Sequence, residues 1–251
     1  MKVRMYNVGF GDCFCLRDRK KSLLVDFGTN NSRIEGRPRR EIFDVIISDL
    51  STIKSKNLLL THFHMDHLSG LLYMMKKKDI SVDFGKIYLP DVFSKKEMSR
   101  TLVLLLLADL LKESGLPSRQ VSLFALVDAL LENKQNVELL SRGKLFENKY
   151  QALWPDTDVI RKETDEVYNR ICEDGKFKEV MDVLLEFAEK LRLIVWSMTA
   201  EGNKPAETVE KETDLTASEL TEQPEVRQKI IRAYVFAESK HFLILRNCWH
   251  G

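Results

Sequence analysis

The chain has 251 residues, of which 44% are hydrophobic, and its 39 basic and 38 acidic residues leave a net charge of +1. This composition provides a sizeable core for one large α/β domain, or for one domain with an insertion. Because the charges balance, the net charge gives no general attraction to nucleic acid or to a membrane surface. The very apolar run 101–111 is too short to cross a bilayer and contains Asp109, so we predict no membrane segment.

The cysteines indicate a reducing compartment. The chain has four, at positions 13, 15, 172 and 248, and no pair has C-x-x-C spacing. Cys13 and Cys15 lie two apart on a predicted strand, where they make a poor disulfide, so we expect reduced and partly buried thiols. Because the chain starts directly as a strand and shows no signal peptide, we predict a cytoplasmic protein.

The first ninety residues alternate between predicted strands and helices. The predicted strands are 2–8, 12–17, 22–26, 57–61 and 87–90, and the predicted helices are 40–52 and 68–78. The first two strands pair around a turn at Gly9–Gly11. This order is typical of a mixed sheet with helices stacked outside it.

The second part of the chain has a different character. Apolar residues at helical period predict helices over 98–114, 118–133 and 161–193, with a short strand-like element at 152–155. Residues 199–223 are polar and glutamate-rich, and two β-runs, 233–237 and 241–245, predict a hairpin. We therefore divide the chain into 1–93, which carries the sheet; 94–198, a helical insertion; 199–228, a flexible linker or loop; and 229–251, a hairpin returning to the sheet. The helical insertion can shape a substrate groove or bind a partner protein.

Three of the five histidines lie in one stretch, 61–67, with the sequence Thr-His-Phe-His-Met-Asp-His. An apolar strand precedes it and a helix follows, so His62, His64, Asp66 and His67 are delivered to one turn. Neutral imidazole and carboxylate are ligands that Zn²⁺, Fe and Mn²⁺ share, and several must converge to bind tightly. The stretch therefore predicts a metal site.

The motif H-x-H-x-D-H after an apolar strand resembles the signature of the metallo-β-lactamase-fold hydrolases. Residues 3–13 resemble the opening strand and Gly-rich turn of that superfamily, and 22–28 its second strand with an Asp-x-Gly ending. The N-terminal motif is most similar to the branch of competence-type DNA-uptake proteins. The three motifs follow the family's order and cover about residues 1–90. The resemblance implies an α/β fold of the αββα sandwich type.

The resemblance also implies roles for individual residues. It assigns His62 and His64 to a first metal, and Asp66 with His67 to a second, with Zn²⁺ as the first choice and Mn²⁺ or Fe as alternatives. Asp66 has a second role as the catalytic residue that orients the attacking water. Asp26 is implied as a second-shell carboxylate that fixes the histidine loop.

The end of the chain departs from the family pattern, which needs a later histidine, a bridging aspartate and a last histidine. After His67 the sequence has only His241 and His250. In one alignment Arg246-Asn247 replaces the usual Gly-Asp; in the other, Trp249-His250-Gly251 stands for a late His-His-Gly element. Both predict an incomplete second β-half in a chain truncated at 251, with His250 as an additional ligand. One metal is better supported than two.

Two functions follow from these expectations. The first is a metal-dependent hydrolase that activates water and cleaves an ester-type bond, with a phosphodiester as the leading substrate class. Nucleic acid is compatible with that chemistry but gains no support from the net charge. The alternative is a catalytically impaired protein of the same fold that acts as a binding or interaction module. A third idea is that the open sheet edge pairs with a second polypeptide.

Overall fold

The computed structural model describes residues 1–18, 21–77, 83–112, 123–173 and 175–200. Within these ranges, a six-stranded mixed sheet is combined with six α-helices. Outside the described residues lie 201–228 of the predicted linker 199–228, the predicted hairpin and His250. No helix within the described ranges is long and apolar enough to cross a membrane.

The sheet is antiparallel at one side and parallel at the other. Its strands, in spatial order, are β1 (Lys2–Met5), β2 (Phe14–Asp18), β3 (Lys21–Val25), β6 (Ser55–Leu59), β7 (Ile87–Pro90) and β8 (Val137–Leu140). The β1–β2 and β2–β3 pairs are antiparallel, and the other three pairs are parallel. Two small hairpins complete the strands: β4 (Arg33–Ile34) with β5 (Arg37–Pro38), and β9 (Leu145–Phe146) with β10 (Tyr150–Gln151).

The helices are α1 (Arg39–Ser51), α2 (Met65–Met75), α3 (Ser99–Lys112), α4 (Leu123–Glu132), α5 (Thr157–Cys172) and α6 (Gly175–Ser197). The sequence predicted one helix over 161–193, whereas the structure has two. The first begins earlier because the Asp156 carboxylate caps it, accepting hydrogen bonds from the backbone N–H groups of Asp158 and Val159. The interruption precedes Gly175, a residue type that weakens helix interiors.

One face of the sheet packs against the helices and carries most of the core. Cys15, Leu24, Leu58 and Ile87 point to this face and are buried in a single cluster with side chains of the helices. Cys15 and its neighbour Cys13 are buried free thiols, as the sequence predicted, and burial raises the pKa of Cys13. The mixed sheet with its helical layer confirms the predicted α/β class.

The segment 94–198, predicted to be a helical insertion, is not purely helical. Its β8 pairs in parallel with β7 and forms an edge of the main sheet. The buried core cluster likewise extends from Tyr6 to Val195 without a break at residue 93. The division at 93/94 stays a prediction, and the sequence analysis missed β8.

Asp49 joins α1 to the antiparallel side of the sheet. Its carboxylate accepts hydrogen bonds from Tyr6 and from Arg17 at 2.7 Å, and it lies 2.8 Å from the guanidinium of Arg4. Burial raises the pKa of Asp49, but the Tyr6 hydrogen bond and the two arginine charges outweigh this and hold the pKa below its ordinary value.

We expect Asp49→Asn to reduce stability at neutral pH by about 1–2 kcal/mol, because Tyr6 and two guanidinium groups lose a charged partner. Because the folded pKa lies below the unfolded one, this stabilisation is present above about pH 4 and is lost as the pH falls through the folded pKa. Urea unfolding of the wild type and of Asp49→Asn between pH 7 and pH 2.5 should therefore converge at the acidic end. A constant difference over this range would contradict the assignment.

Candidate metal centre

The histidine loop connects β6 to α2. Phe63 is buried against Phe93, with ring centroids 6.0 Å apart, while His62 and His64 on either side of it are half-buried. This alternation is that of an extended segment, in which neighbouring side chains point to opposite sides. His64 is the N-cap of α2, and its carbonyl accepts from the N–H groups of His67 and Leu68. The first turn of α2 thus brings Asp66 and His67 back beside His62.

Asp26 reaches the loop from the neighbouring strand. Because β3 and β6 are parallel and paired in register, their carboxyl ends lie side by side. The N–H of Asp26 donates to the carbonyl of Leu59 at 2.8 Å, and the next N–H, of Phe27, donates to the carbonyl of His67 at 2.7 Å. Asp26 itself has φ of 54°, in the left-handed region that aspartate tolerates better than most residues.

Two glycines let three backbone segments meet behind the loop. A Cβ at Gly28 would lie 2.6 Å from the carbonyl carbon of Asp66 and from the backbone nitrogen of Leu68. A Cβ at Gly11 would lie 2.3 Å from the carbonyl oxygen of Gly28. The close approach allows the N–H of Asp12 to donate to the carbonyl of Asp66 at 3.2 Å. The Gly-rich turn and the Asp-x-Gly ending therefore hold the histidine loop in position.

Three of the four predicted ligands form one compact donor set. The ligand atoms of His62, Asp66 and His67 all lie within 4.8 Å of one another. The ring centroids of His62 and His67 are 3.8 Å apart, and Nε2 of His67 lies 3.8 Å from Oδ2 of Asp66. The ring of His64 is edge-on to that of His62, with ring centroids 4.7 Å apart. His64 is not a member of this three-residue set. Two imidazoles and a carboxylate are a donor set that fits Zn²⁺, Mn²⁺ or Fe.

The buried carboxylate of Asp26 determines the tautomer of two of these rings. Its Oδ1 accepts from the backbone N–H of Thr61, and its Oδ2 accepts from the Thr61 hydroxyl at 2.7 Å and pairs with Nδ1 of His67 at 2.9 Å. The carboxylate can only accept, so His67 carries its proton on Nδ1. The single hydroxyl proton of Thr61 goes to Asp26, so the Nδ1 of His62, 3.0 Å from that hydroxyl, must donate to it. In their neutral forms, both rings therefore have Nε2 free of a proton and able to bind a cation.

The surroundings shift the pKa values of the two rings in opposite directions. Burial lowers the pKa of His62, and the nearby His67 lowers it further, which favours the neutral ligand form. Burial also lowers the pKa of His67, but its hydrogen bond to Asp26 and the charges of Asp26 and Asp66 outweigh this, so its pKa is raised. The carboxylates make this side of the loop a cation-attracting environment.

Asp12 is a neighbour of the site to which the sequence analysis gave no role. Its Oδ2 lies 3.6 Å from Nδ1 of His67, and Asp12, Asp26 and His67 form a second donor group within 4.8 Å. Asp12 reaches the loop because Gly11, directly before it, packs closely against the backbone of Gly28 and Asp66. The side chain is 45% exposed and stands at the rim of the site.

Ser69, like Thr61, makes local hydrogen bonds. Its hydroxyl accepts from the N–H of Thr29 and donates to the carbonyl of Thr29, both at 2.9 Å. These bonds tie α2 to the segment after Asp26. Neither residue belongs to the donor sets.

Comparison with known proteins agrees with this geometry. Residues 6–91 match the family model of the metallo-beta-lactamase superfamily. The match contains the Gly-rich turn, Asp26 and the whole histidine loop, and it supports the superfamily that the sequence motifs indicated. Together with the mixed sheet and its helical layer, it is consistent with the predicted αββα fold. The finer prediction, a place in the DNA-uptake branch, has no such support and stays a prediction.

Among curated proteins, the chain is similar to Endoribonuclease YSH1 of Mycosarcoma maydis, with 32% identity over 77 residues. The similar region is 31% of this chain and 8% of that protein. The chain thus spans only a small part of the relative it matches. No solved structure matches at a comparable level of significance.

Proposed function

We propose that this protein is a metal-dependent hydrolase that cleaves an ester-type bond. The observation that carries the proposal is the convergence of His62, Asp66 and His67, with Asp26 holding two rings in the ligand tautomer. A solvated loop rich in histidine has no need of a buried carboxylate behind it. The superfamily match over residues 6–91 supports the same chemistry.

A divalent cation held by these residues would lower the pKa of a water molecule and supply a nucleophile at neutral pH. The chain's own groups have separate tasks. His62 and His67 would bind through Nε2, and Asp26 would orient them and hold them in the tautomer that leaves this nitrogen available. Asp66 would bind through its carboxylate and orient the attacking water. His64 and, beyond the described residues, His250 stay proposed as further ligands.

One cation fits the described donors better than two. The two donor groups share His67, and Nδ1 of that ring is already hydrogen-bonded to Asp26. A second cation among Asp12, Asp26 and His67 would have to break that bond. We therefore propose a single strong site at His62, Asp66 and His67, with Zn²⁺ as the first candidate and Mn²⁺ or Fe as alternatives.

For the substrate, we propose a phosphodiester. The relative over 77 residues is an endoribonuclease by name, and cleavage of RNA breaks phosphodiester bonds. The net charge of +1 offers no general attraction for a polyanion, so recognition of nucleic acid would depend on local contacts.

The proposal predicts that the chain, loaded with Zn²⁺ or Mn²⁺, hydrolyses bis-p-nitrophenyl phosphate, and that His62→Ala reduces the rate at least about 100-fold by removing a ligand. The release of p-nitrophenol measures the rate, and elemental analysis of the same samples gives the metal content. Glu166→Ala, on the exposed surface of α5, is the control and should match the wild type. A metal-loaded wild type without turnover would contradict the hydrolase and favour the alternative, a binding module.

A further inference from the structure

Four arginines follow the strand that leads to Asp26. They lie in the hairpin β4–β5 and in the first turn of α1, and all four are exposed: Arg33, Arg37, Arg39 and Arg40. The run 33–40 contains one acidic residue, Glu35, whose carboxylate accepts a hydrogen bond from the side-chain amide of Asn7 at 2.7 Å. We call the four arginines the arginine cluster.

The arginine cluster lies at the sheet edge that carries the metal centre. Because β3 and β6 are parallel, α1 between them begins at the carboxyl end of β3 and returns to the start of β6. The hairpin is anchored at the same edge, since Ile34 is buried and a Cβ at Gly9 would lie 3.4 Å from its side chain. Gly9 belongs to the turn that ends at Asp12, which is 3.6 Å from Nδ1 of His67. One turn of backbone thus links the arginine cluster to the rim of the metal centre.

The arginine cluster has no acidic partner among the described residues, in contrast to most arginines of that part of the chain. The described arginines at positions 4, 17, 100, 142, 161 and 192 each form an ion pair with an aspartate or a glutamate. Asp44, one turn beyond Arg40, is bound by Lys77 and Tyr73. Four guanidinium groups within eight residues repel one another unless an anion lies among them.

Two members of the cluster stand where a helix favours negative charge. Arg39 and Arg40 open α1, no side chain caps this helix, and Glu41 is the acidic residue of its first turn. The positive end of the helix dipole disfavours cationic side chains here and favours anions. A phosphate would receive hydrogen bonds from guanidinium groups and would also be stabilised by the helix dipole. The arrangement is therefore unfavourable for the protein alone and favourable with a polyanion.

An exposed aromatic ring lies on the turn between the cluster and the metal centre. The side chain of Phe10 is 70% exposed, but its backbone is fixed. Its N–H donates to the side chain of Asn31, and its carbonyl accepts from the N–H of Asn30, both at 2.9 Å. Asn31 leads into the hairpin, and Asp12, two residues after Phe10, reaches the metal centre. A ring held in this way offers a face on which an unpaired base can stack, whereas a duplex hides its base faces.

We infer that the arginine cluster binds the phosphates of a single-stranded nucleic acid and that Phe10 stacks on one of its bases. The inference rests on the proposed hydrolase and names its substrate, a strand that crosses Phe10 on its way to the cation. The guanidinium groups supply locally the attraction that the net charge of +1 does not. An anionic lipid surface is the competing partner.

Binding of a fluorescein-labelled oligouridylate to the full-length chain, measured by fluorescence anisotropy in EDTA, tests the cluster. Arg37→Gln combined with Arg40→Gln should weaken binding about tenfold, because charge-assisted hydrogen bonds to phosphate are lost. The slope of log affinity against log salt should become shallower by about 1.4, since each phosphate contact on a single strand contributes about 0.7. Lys162→Gln combined with Arg170→Gln removes the same charge from exposed positions of α5 and should bind like the wild type. Equal affinities of the two double variants would overturn the inference.

Substitutions of Phe10 test the stacking separately. Phe10→Leu keeps an apolar side chain but removes the ring, so binding should weaken about fivefold or more, whereas Phe10→Trp should bind at least as tightly as the wild type. An unchanged affinity of Phe10→Leu would overturn the stacking.

Vesicles that contain phosphatidylserine test the competing partner. Sedimentation of the wild type with these vesicles, lost in the Arg37/Arg40 double variant while oligouridylate binding stays unchanged, would overturn the inference in favour of a lipid surface. EDTA removes divalent cations, so the oligouridylate measurement involves no turnover. A failure of the arginine cluster is therefore distinct from a failure of the hydrolase, which hydrolysis of bis-p-nitrophenyl phosphate reports.

Discussion

Asp26→Asn is expected to weaken cation binding by about 10–100-fold, the usual effect of losing a carboxylate behind a histidine ligand. Asp26 accepts from the backbone N–H of Thr61, from the Thr61 hydroxyl and from His67 Nδ1. An amide has one oxygen for these donors and presents N–H groups to the rest, so at least one ring loses its fixed tautomer. Asparagine tolerates the φ of 54°, so backbone strain does not explain the loss.

Competition for Zn²⁺ with a chromophoric chelator at pH 7.5 measures this affinity without any substrate. Asp12→Asn is the matched control, since it removes a carboxylate near the same ring at 3.6 Å while leaving the Asp26 hydrogen bonds intact. We expect this control to weaken binding less than Asp26→Asn. An Asp26→Asn protein that binds Zn²⁺ as tightly as the wild type would contradict the proposed tautomer control.

The elements near the site could be predicted because their signals are local. An apolar strand, a run of histidines and a helix follow one another directly in the sequence, so β6, the loop and α2 were found within a few residues of their observed bounds. The role of Asp26 behind the loop came from the family resemblance. The structure adds the contacts that realise it, through the parallel pairing of β3 with β6.

The grouping of donors could not be predicted in the same way. The family resemblance placed His62 with His64, which is compatible with residues two apart on an extended segment facing the same side. In the structure α2 begins at Met65 and its first turn brings Asp66 and His67 next to His62, while His64 caps the helix. Asp12 was missed for a related reason: its position depends on the packing of Gly11 against Gly28, which are 17 positions apart.

Gly28→Ala is expected to lower the free energy of unfolding by about 3 kcal/mol, at the upper end of overpacking effects. The added Cβ would lie 2.6–2.7 Å from the carbonyl of Asp66 and the nitrogen of Leu68. Both are backbone atoms at the start of α2, so no side-chain rotation relieves the contact. The chain must instead move α2 away from Asp26, and this also separates His67 from its carboxylate. We therefore expect cation affinity to fall together with stability.

Gly175→Ala provides the matched control for this change. A Cβ at Gly175 would meet nothing within 4 Å, and the residue begins α6, far along the chain from the histidine loop. Since alanine favours helices over glycine by at most about 1 kcal/mol, stability should stay the same or rise slightly. Urea unfolding compares the two variants, and the chelator competition reports on the site. If Gly28→Ala were as stable as Gly175→Ala, the three backbone segments could not be as close as the structure places them.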